Sequence, residues 1–214
     1  MSFVVFTDGS ANLPASKLDG ITLLPCSYTV EGVQKEYLGD VDSFDAHAYY
    51  EQLKSGCKVT TSLLNTHLFL SHFRTALEQG QDVIYIAMSS GISGTYQAAI
   101  CAKHELEEEF PDRFIHIVDS RGCGFGSGLL AIRAEELSHI GTPVRQAAAM
   151  LDADVPPHLP VFHRGRPEFP EAQRTGGRRN RYDWNRTEHQ THSLRDCRWA
   201  HCLLRQGSGP EKGH

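Results

Sequence analysis

The feature that most constrains this fold is a three-part unit that recurs along the first 156 residues. A short apolar strand leads into a loop rich in Gly, Ser and Thr, and a helix follows the loop. The strands of these units are predicted at Phe3 to Thr7, Asp82 to Met88 and Phe114 to Val118. Because such strands are apolar on both faces and alternate with helices, we expect an α/β fold, with a mainly parallel sheet covered by helices.

The intervening segments predict the remaining elements. A second strand is expected from about Ile21 to Val30, and Asp42 or Ser43 is expected to cap a helix over Phe44 to Lys54. The other predicted helices begin after Ser62, run from Thr95 to about Glu108, and run from about Gly126 to His139.

Three polar segments are expected to meet at one edge of this sheet, because parallel sheets bind ligands at the carboxyl ends of their strands. They are Thr7 to Ser10, Thr60 to Ser62 and Ser89 to Thr95, and they offer many hydroxyls and few charges. Hydroxyl donors and the free N–H groups of a helix that opens near Gly94 predict a site for a carboxylate or a phosphate. The alternative is that these Ser and Thr residues only cap helices.

Two other kinds of site fit the sequence less well. Gly91 to Thr95 is one residue short of the G-x-S-x-G nucleophile elbow, and no His or Asp has an evident place beside it. A small α/β enzyme or a phosphate-binding module therefore remains only the alternative interpretation. The glycine run from Gly122 to Gly128 lacks the acidic partner of a dinucleotide loop, and close packing of a helix on a strand explains it more economically.

The composition changes near residue 156. Residues 1–156 hold 10 Lys and Arg against 20 Asp and Glu, whereas residues 157–214 hold 11 against 6. The second part has only five Ile, Leu, Val or Met residues, too few to offset the entropy of ordering the segment. We therefore expect a folded domain at 1–156 and an irregular or disordered segment at 157–214.

Several partners are not expected. The cysteines and histidines between His189 and Cys202 do not have the spacing of a zinc finger or ribbon, so no metal is predicted. The arginines between Arg178 and Arg181 lack the aromatic residues of a nucleic-acid recognition module. No apolar run approaches 18 residues and no export signal is seen, which predicts a cytoplasmic protein without an integral membrane segment and with reduced cysteines.

Four segments resemble landmarks of the DegV family, in the family's order. Thr7 to Pro14 resembles its opening T-D-S-x-x-D-L-P, and Ser90 to Ala99 is similar to its most distinctive segment. Thr60 to Ser62 resembles the start of its T-S-x-P-S loop, although Leu64-Asn65 stands where Pro-Ser usually follows. Val118 to Ser120 matches the end of a later strand.

The resemblance implies a fold and a function. The family's N-terminal domain is Rossmann-like, and its members hold one long-chain fatty acid without transforming it and without a cofactor. Matched by motif, Thr61 and Ser93 would bind the carboxylate, with Ser62 and the amides of Gly94 and Thr95 beside them. Some members serve as the acyl-binding subunit of a bacterial fatty acid kinase, so a kinase catalytic subunit is an implied partner.

The family's second domain is not recognisable in the last 58 residues. Codons for Val161 to Arg174, read one nucleotide later, are nevertheless compatible with S-F-T-V-D-D-L-N-F-L-K-R-S-G, which resembles the missing domain. Codons for Asn185 to His192 and for Gln206 to Gly213 permit two further family segments at the same offset. We therefore hypothesise a frameshift between about Val155 and Val161, which truncates the family sequence; an unbroken gene with no family protein in the neighbouring frame would contradict it.

Overall fold

A computed structural model of the protein describes residues 3–155. The predictions for residues 157–214, including the frameshift, lie outside the described residues. The strands, in chain order, are β1 (Phe3–Asp8), β2 (Ile21–Leu24), β3 (Cys26–Val30), β4 (Val33–Tyr37), β5 (Val59–Thr61), β6 (Asp82–Ala87) and β7 (Ile115–Asp119). The α-helices are α1 (Ala46–Lys54), α2 (Thr66–Glu78), α3 (Thr95–Glu109), α4 (Phe125–His139) and α5 (Val144–Asp154).

The main sheet is parallel throughout. Its strand order is β2-β1-β6-β7, and Val5 of β1 lies between Ile21 of β2 and Ile84 of β6. All residues of β6 are buried, as expected for a strand that is covered on both faces. The predicted mainly parallel α/β sheet is confirmed.

Each face of the sheet packs on a different pair of helices. Along β6 the side chains alternate, so that Ile84 and Ile86 join one apolar core whereas Val83 and Tyr85 join the other. The first core is completed by residues of α4 and α5, and the second by residues of α2 and α3. Helices on both faces leave the carboxyl ends of the strands as the accessible edge.

A second sheet, which the sequence did not predict, is antiparallel and has the order β4-β3-β5. The prediction of one strand from Ile21 to Val30 is wrong, because the chain leaves the parallel sheet after Leu24 and enters the second sheet at Cys26. Pro25 stands between the two strands, and it has no N–H to donate to a neighbouring strand.

The start of α1 also differs from the prediction. Asp45 is its N-cap, and its Oδ1 accepts a hydrogen bond of 2.9 Å from the N–H of Ala48. Asp42, one of the two predicted caps, instead accepts from the N–H of Ala15 at 2.9 Å. The hydroxyl of Ser43, the other, donates to a backbone carbonyl. Asp45, three residues after Asp42, therefore has the geometry of the N-cap.

One residue of the glycine run permits a close contact between α4 and the loop after β1. A Cβ at Gly128 would lie 2.8 Å from the carbonyl oxygen of Ala11 and 2.8 Å from Cδ2 of Leu13. We expect Gly128→Ala to lower the free energy of unfolding by about 2 kcal/mol, because neither backbone nor core moves aside without strain. Urea denaturation measures this change.

Gly126 provides the matched control in the same helix. A Cβ at Gly126 meets no atom within 4 Å, so only helix propensity changes in Gly126→Ala. Alanine is the better helix former, and we expect a gain of about 0.5 kcal/mol. Equal effects of the two substitutions would show that the close approach at Gly128 does not matter for stability.

Candidate functional site

Two of the predicted polar segments are in direct contact. The N–H of Leu64 donates a hydrogen bond of 3.3 Å to Oγ1 of Thr95, at the start of α3. A Cβ at Gly94 would lie 3.3 Å from Cδ2 of Leu63, so the Leu63 side chain packs closely on the backbone at Gly94. Thr95 is only 3% exposed. The segment after β5 and the segment after β6 therefore lie directly against each other.

Ser93 and the start of α3 present donors at this contact. The hydroxyl of Ser93 donates to Oγ1 of Thr95 at 2.9 Å and accepts from the N–H of Thr95 at 3.2 Å. Gly94, the N-cap of α3, supplies no side-chain cap. The N–H groups of Gly94, Tyr96 and Gln97 have no acceptor among residues 3–155. Free N–H groups at a helix N-terminus favour an anion.

Thr61 and Ser62 lie on the other side of the contact, and both are exposed. The prediction that Thr60 to Ser62 would lie at the edge of the parallel sheet is wrong. Thr61 is the last residue of β5 in the small antiparallel sheet, where it pairs with Tyr28 of β3. The N–H of Ser62 then donates to the carbonyl of Ser27 at 3.0 Å. Two sheets, rather than one sheet edge, therefore supply the candidate hydroxyls.

In the first predicted segment, Thr7 to Ser10, the side chains of Thr7 and Asp8 form hydrogen bonds within the fold. The hydroxyl of Thr7 donates to the carbonyl of Ile86 at 3.0 Å, and Thr7 and Asp8 are each 1% exposed. The Asp8 carboxylate accepts from the N–H of Ser10 at 2.9 Å and from the hydroxyl of Tyr85. These groups join β1 to β6 beneath the carboxyl edge.

Burial controls the protonation of the groups around Asp8. The pKa of the Cys26 thiol is raised to about 12, first by burial and then by the negative charge of Asp8. Burial also raises the pKa of Tyr85 well above its ordinary value, and Asp8 adds to that effect. Both side chains therefore stay protonated well above neutral pH, and both face the carboxylate as donors.

Asp119, for which no role was predicted, is also part of the edge. It is the last residue of β7, and it accepts hydrogen bonds from the N–H and the hydroxyl of Ser90. The sequence did contain a signal for such a role, because Asp119 is an acidic residue at the end of a buried parallel strand. Its partner could not be read from the sequence, because Ser90 lies 29 positions away.

Two structural features limit the class of site in residues 3–155. No group of three or more His, Cys, Asp or Glu side chains is placed to hold a metal ion there. No helix in that range has the length and apolar character needed to cross a bilayer.

A two-sided α/β lobe with hydroxyls and open N–H groups at its carboxyl edge is a ligand-binding domain suited to an anionic group. The family described as "Uncharacterised protein, DegV family" matches residues 2–155. The chain belongs to the DegV family. A DegV domain-containing protein of Clostridium perfringens, CPE0026, is 34% identical over 143 residues, which make up 66% of this chain and 49% of that protein.

Two solved structures have the same fold and a described ligand. A Thermus thermophilus DegV family protein, described as binding fatty acid, is 26% identical with a TM-score of 0.62, over 72% of this chain and 53% of that chain. A stearic-acid-binding protein from Eubacterium ventriosum is 27% identical with a TM-score of 0.61, over 71% of this chain and 52% of that one. The chain spans about half the length of each of these relatives.

Proposed function

We propose that this protein binds a long-chain fatty acid, whose carboxylate accepts hydrogen bonds from Thr61 and from Ser93, with the Ser93 hydroxyl turning from Oγ1 of Thr95 to the carboxylate. The observation that carries the proposal is the hydrogen bond from Leu64 to Thr95, which holds the segment of Thr61 against that of Ser93. Ser62 and the Gly94 amide are additional donors, and the Thr95 amide orients the Ser93 hydroxyl. The fatty acid ligands of the T. thermophilus and E. ventriosum proteins support this assignment.

The charge of the site favours an acyl ligand over a small phosphate ester. Neither 60–64 nor 89–95 contains a Lys or an Arg, so within these two segments only neutral donors compensate the dehydration of the anion. A fatty acid supplies the missing free energy through its chain, at about 0.8 kcal/mol for each buried CH₂ group. Leu63 and Ile92, which are 56% and 54% exposed, provide apolar surface next to the donors.

The alternative is a small enzyme or a module that binds a phosphorylated ligand. The open N–H groups of Gly94, Tyr96 and Gln97 are its support, because they suit a phosphate as well as a carboxylate.

In the main proposal, the protein binds and presents its ligand without transforming it. A cytoplasmic location and a fatty acid kinase catalytic subunit as partner belong to the same proposal, and the family resemblance is their support.

We also propose that binding is weak in the 214-residue chain. The matched residues cover only about half of each relative, and residues 157–214 do not show the segments expected of the second half of the family protein. Without that half, part of the acyl chain would stay in water, and the free energy from its burial would be lost. The frameshift hypothesis gives the reason for the missing half.

Extraction of the ligand tests this function. The 214-residue chain and a version with the family frame restored after Val155 are purified, and the bound small molecules are identified by mass spectrometry. We expect a long-chain fatty acid at close to one per protein in the restored version and well below one in the chain as written. Recovery of a water-soluble phosphate ester would favour the alternative, and a stoichiometric fatty acid in the 214-residue chain would contradict the impairment.

A further inference from the structure

One carboxylate connects the ends of the two neighbouring strands β6 and β7. Oδ1 of Asp119 accepts hydrogen bonds of 3.1 Å from the N–H of Ser90 and 3.1 Å from the N–H of Arg121. Oδ2 accepts a bond of 2.6 Å from the hydroxyl of Ser90. Hydrogen bonds to an ionised carboxylate are stronger than those between neutral groups. Ser90 is therefore held at two atoms by a residue of the next strand.

The loop between Ser90 and α3 folds back on Ser89, and the N–H of Gly91 donates to Oγ of Ser89 at 3.2 Å. The N–H groups of Ile92 and Ser93 both donate to the carbonyl of Ser89, at 2.9 and 3.1 Å. Only two residues separate Ser90 from Ser93, and the hydrogen bonds to Ser89 close the segment into one turn. A displacement of Ser90 would therefore be passed on to Ser93.

We propose that Asp119 is a positioning residue, which sets the place of the Ser93 hydroxyl and of the first N–H groups of α3. This inference rests on the proposed function, because it concerns the same carboxylate site. The role is geometric rather than electrostatic. A negative charge near an anion site opposes binding, so the benefit of Asp119 must come from the hydrogen bonds that it accepts.

Two substitutions separate geometry from charge. In Asp119→Asn the amide oxygen still accepts from Ser90 and Arg121, and the amide NH₂ donates to the Ser90 hydroxyl, so the connection is kept while the charge is lost. In Asp119→Ala both the charge and the hydrogen bonds are lost. If charge alone mattered, the two variants would behave alike.

The binding test uses the 214-residue chain and sodium octanoate, a soluble carboxylate that can be titrated to high concentration. Amide chemical shifts of Gly94, Thr95 and Tyr96 report binding at the site. We expect Asp119→Ala to weaken octanoate binding about tenfold, because the donors no longer lie in the bound geometry. Asp119→Asn is expected to remain within about twofold of the parent protein, since its hydrogen bonds persist.

Further variants protect the test against a general loss of structure. Ser90→Ala removes the hydroxyl but keeps the N–H, so an effect of about threefold is expected, with no further loss when it is combined with Asp119→Ala. Glu109→Ala removes a carboxylate that pairs with Arg74 at the far end of α3, about 20 Å along the helix, and should leave octanoate binding unchanged. Amide hydrogen exchange without ligand should rise at 89–95 in Asp119→Ala only.

The outcomes separate this inference from the proposed function. If the parent chain does not respond to octanoate at Gly94 to Tyr96, the variants are compared in the version with the frame restored after Val155, and no response there overturns the proposed function and the inference with it. If the parent responds and Asp119→Ala responds equally, only the positioning role is overturned. Equal weakening in Asp119→Ala and Asp119→Asn would also overturn it, because the effect would then follow the charge.

Discussion

Replacement of both Thr61 and Ser93 with alanine is expected to weaken binding of a long-chain fatty acid about 100-fold. A hydrogen bond to a charged group contributes about 1.5 kcal/mol, and each 1.4 kcal/mol changes affinity tenfold. The loss of both hydroxyls therefore removes about two factors of ten. Titration with a fluorescent fatty acid measures the change in the protein whose frame is restored after Val155.

Thr60→Ala is the matched control for this prediction. Thr60 is also exposed in β5, but successive side chains of a strand point to opposite faces, so Thr60 faces away from the side that carries Thr61. Its replacement should leave the affinity unchanged. If the affinity of the double variant stayed within twofold of the parent, the hydroxyls of Thr61 and Ser93 would not be part of the carboxylate site.

Replacement of Asp8 with alanine is expected to lower the free energy of unfolding by about 3 kcal/mol. The carboxylate is 1% exposed and accepts from the N–H of Ser10 and the hydroxyl of Tyr85. Without it, the fully buried phenol and a backbone N–H lose their acceptor, and each unsatisfied buried group costs about 1–3 kcal/mol. Urea denaturation, followed by circular dichroism, measures the loss.

Tyr85→Phe tests the physical reason. The combination of Asp8→Ala with Tyr85→Phe should be more stable than Asp8→Ala alone, because the phenol no longer needs a partner. Strictly additive effects would mean that Asp8 and Tyr85 are not coupled. In that case the hydrogen bond between Asp8 and Tyr85 would have no role in joining β1 to β6.

The main sheet and the helices next to it were predictable because their signals are local. β6 is a run of apolar residues, and α3 and α4 begin and end within one residue of the positions predicted from their patterns. The hydroxyl segments were also visible, because Ser93 and Thr95 lie in a Gly-rich turn between a strand and a helix. Buried parallel strands and amphipathic helices leave these patterns in consecutive residues.

The second sheet was not predictable in the same way. Ile21 to Val30 reads as one apolar strand, and only the pairing of β3 with β4 and β5 shows that its second half belongs elsewhere. That pairing is determined by residues distant in the sequence. The position of Thr61 on a second sheet follows from it, and so does the contact of its loop with α3.

By itself, the sequence determined which strands would be apolar, where α3 and α4 would begin, and which loops would carry hydroxyls, because each depends on the order of neighbouring residues. Only the tertiary structure decided which hydroxyls remain available. It buried Thr7 and Asp8 in contacts between strands, joined Leu64 to Thr95, and connected Asp119 to Ser90. The physical reason is that a hydrogen bond between distant residues depends on how the strands pack, which no local pattern records.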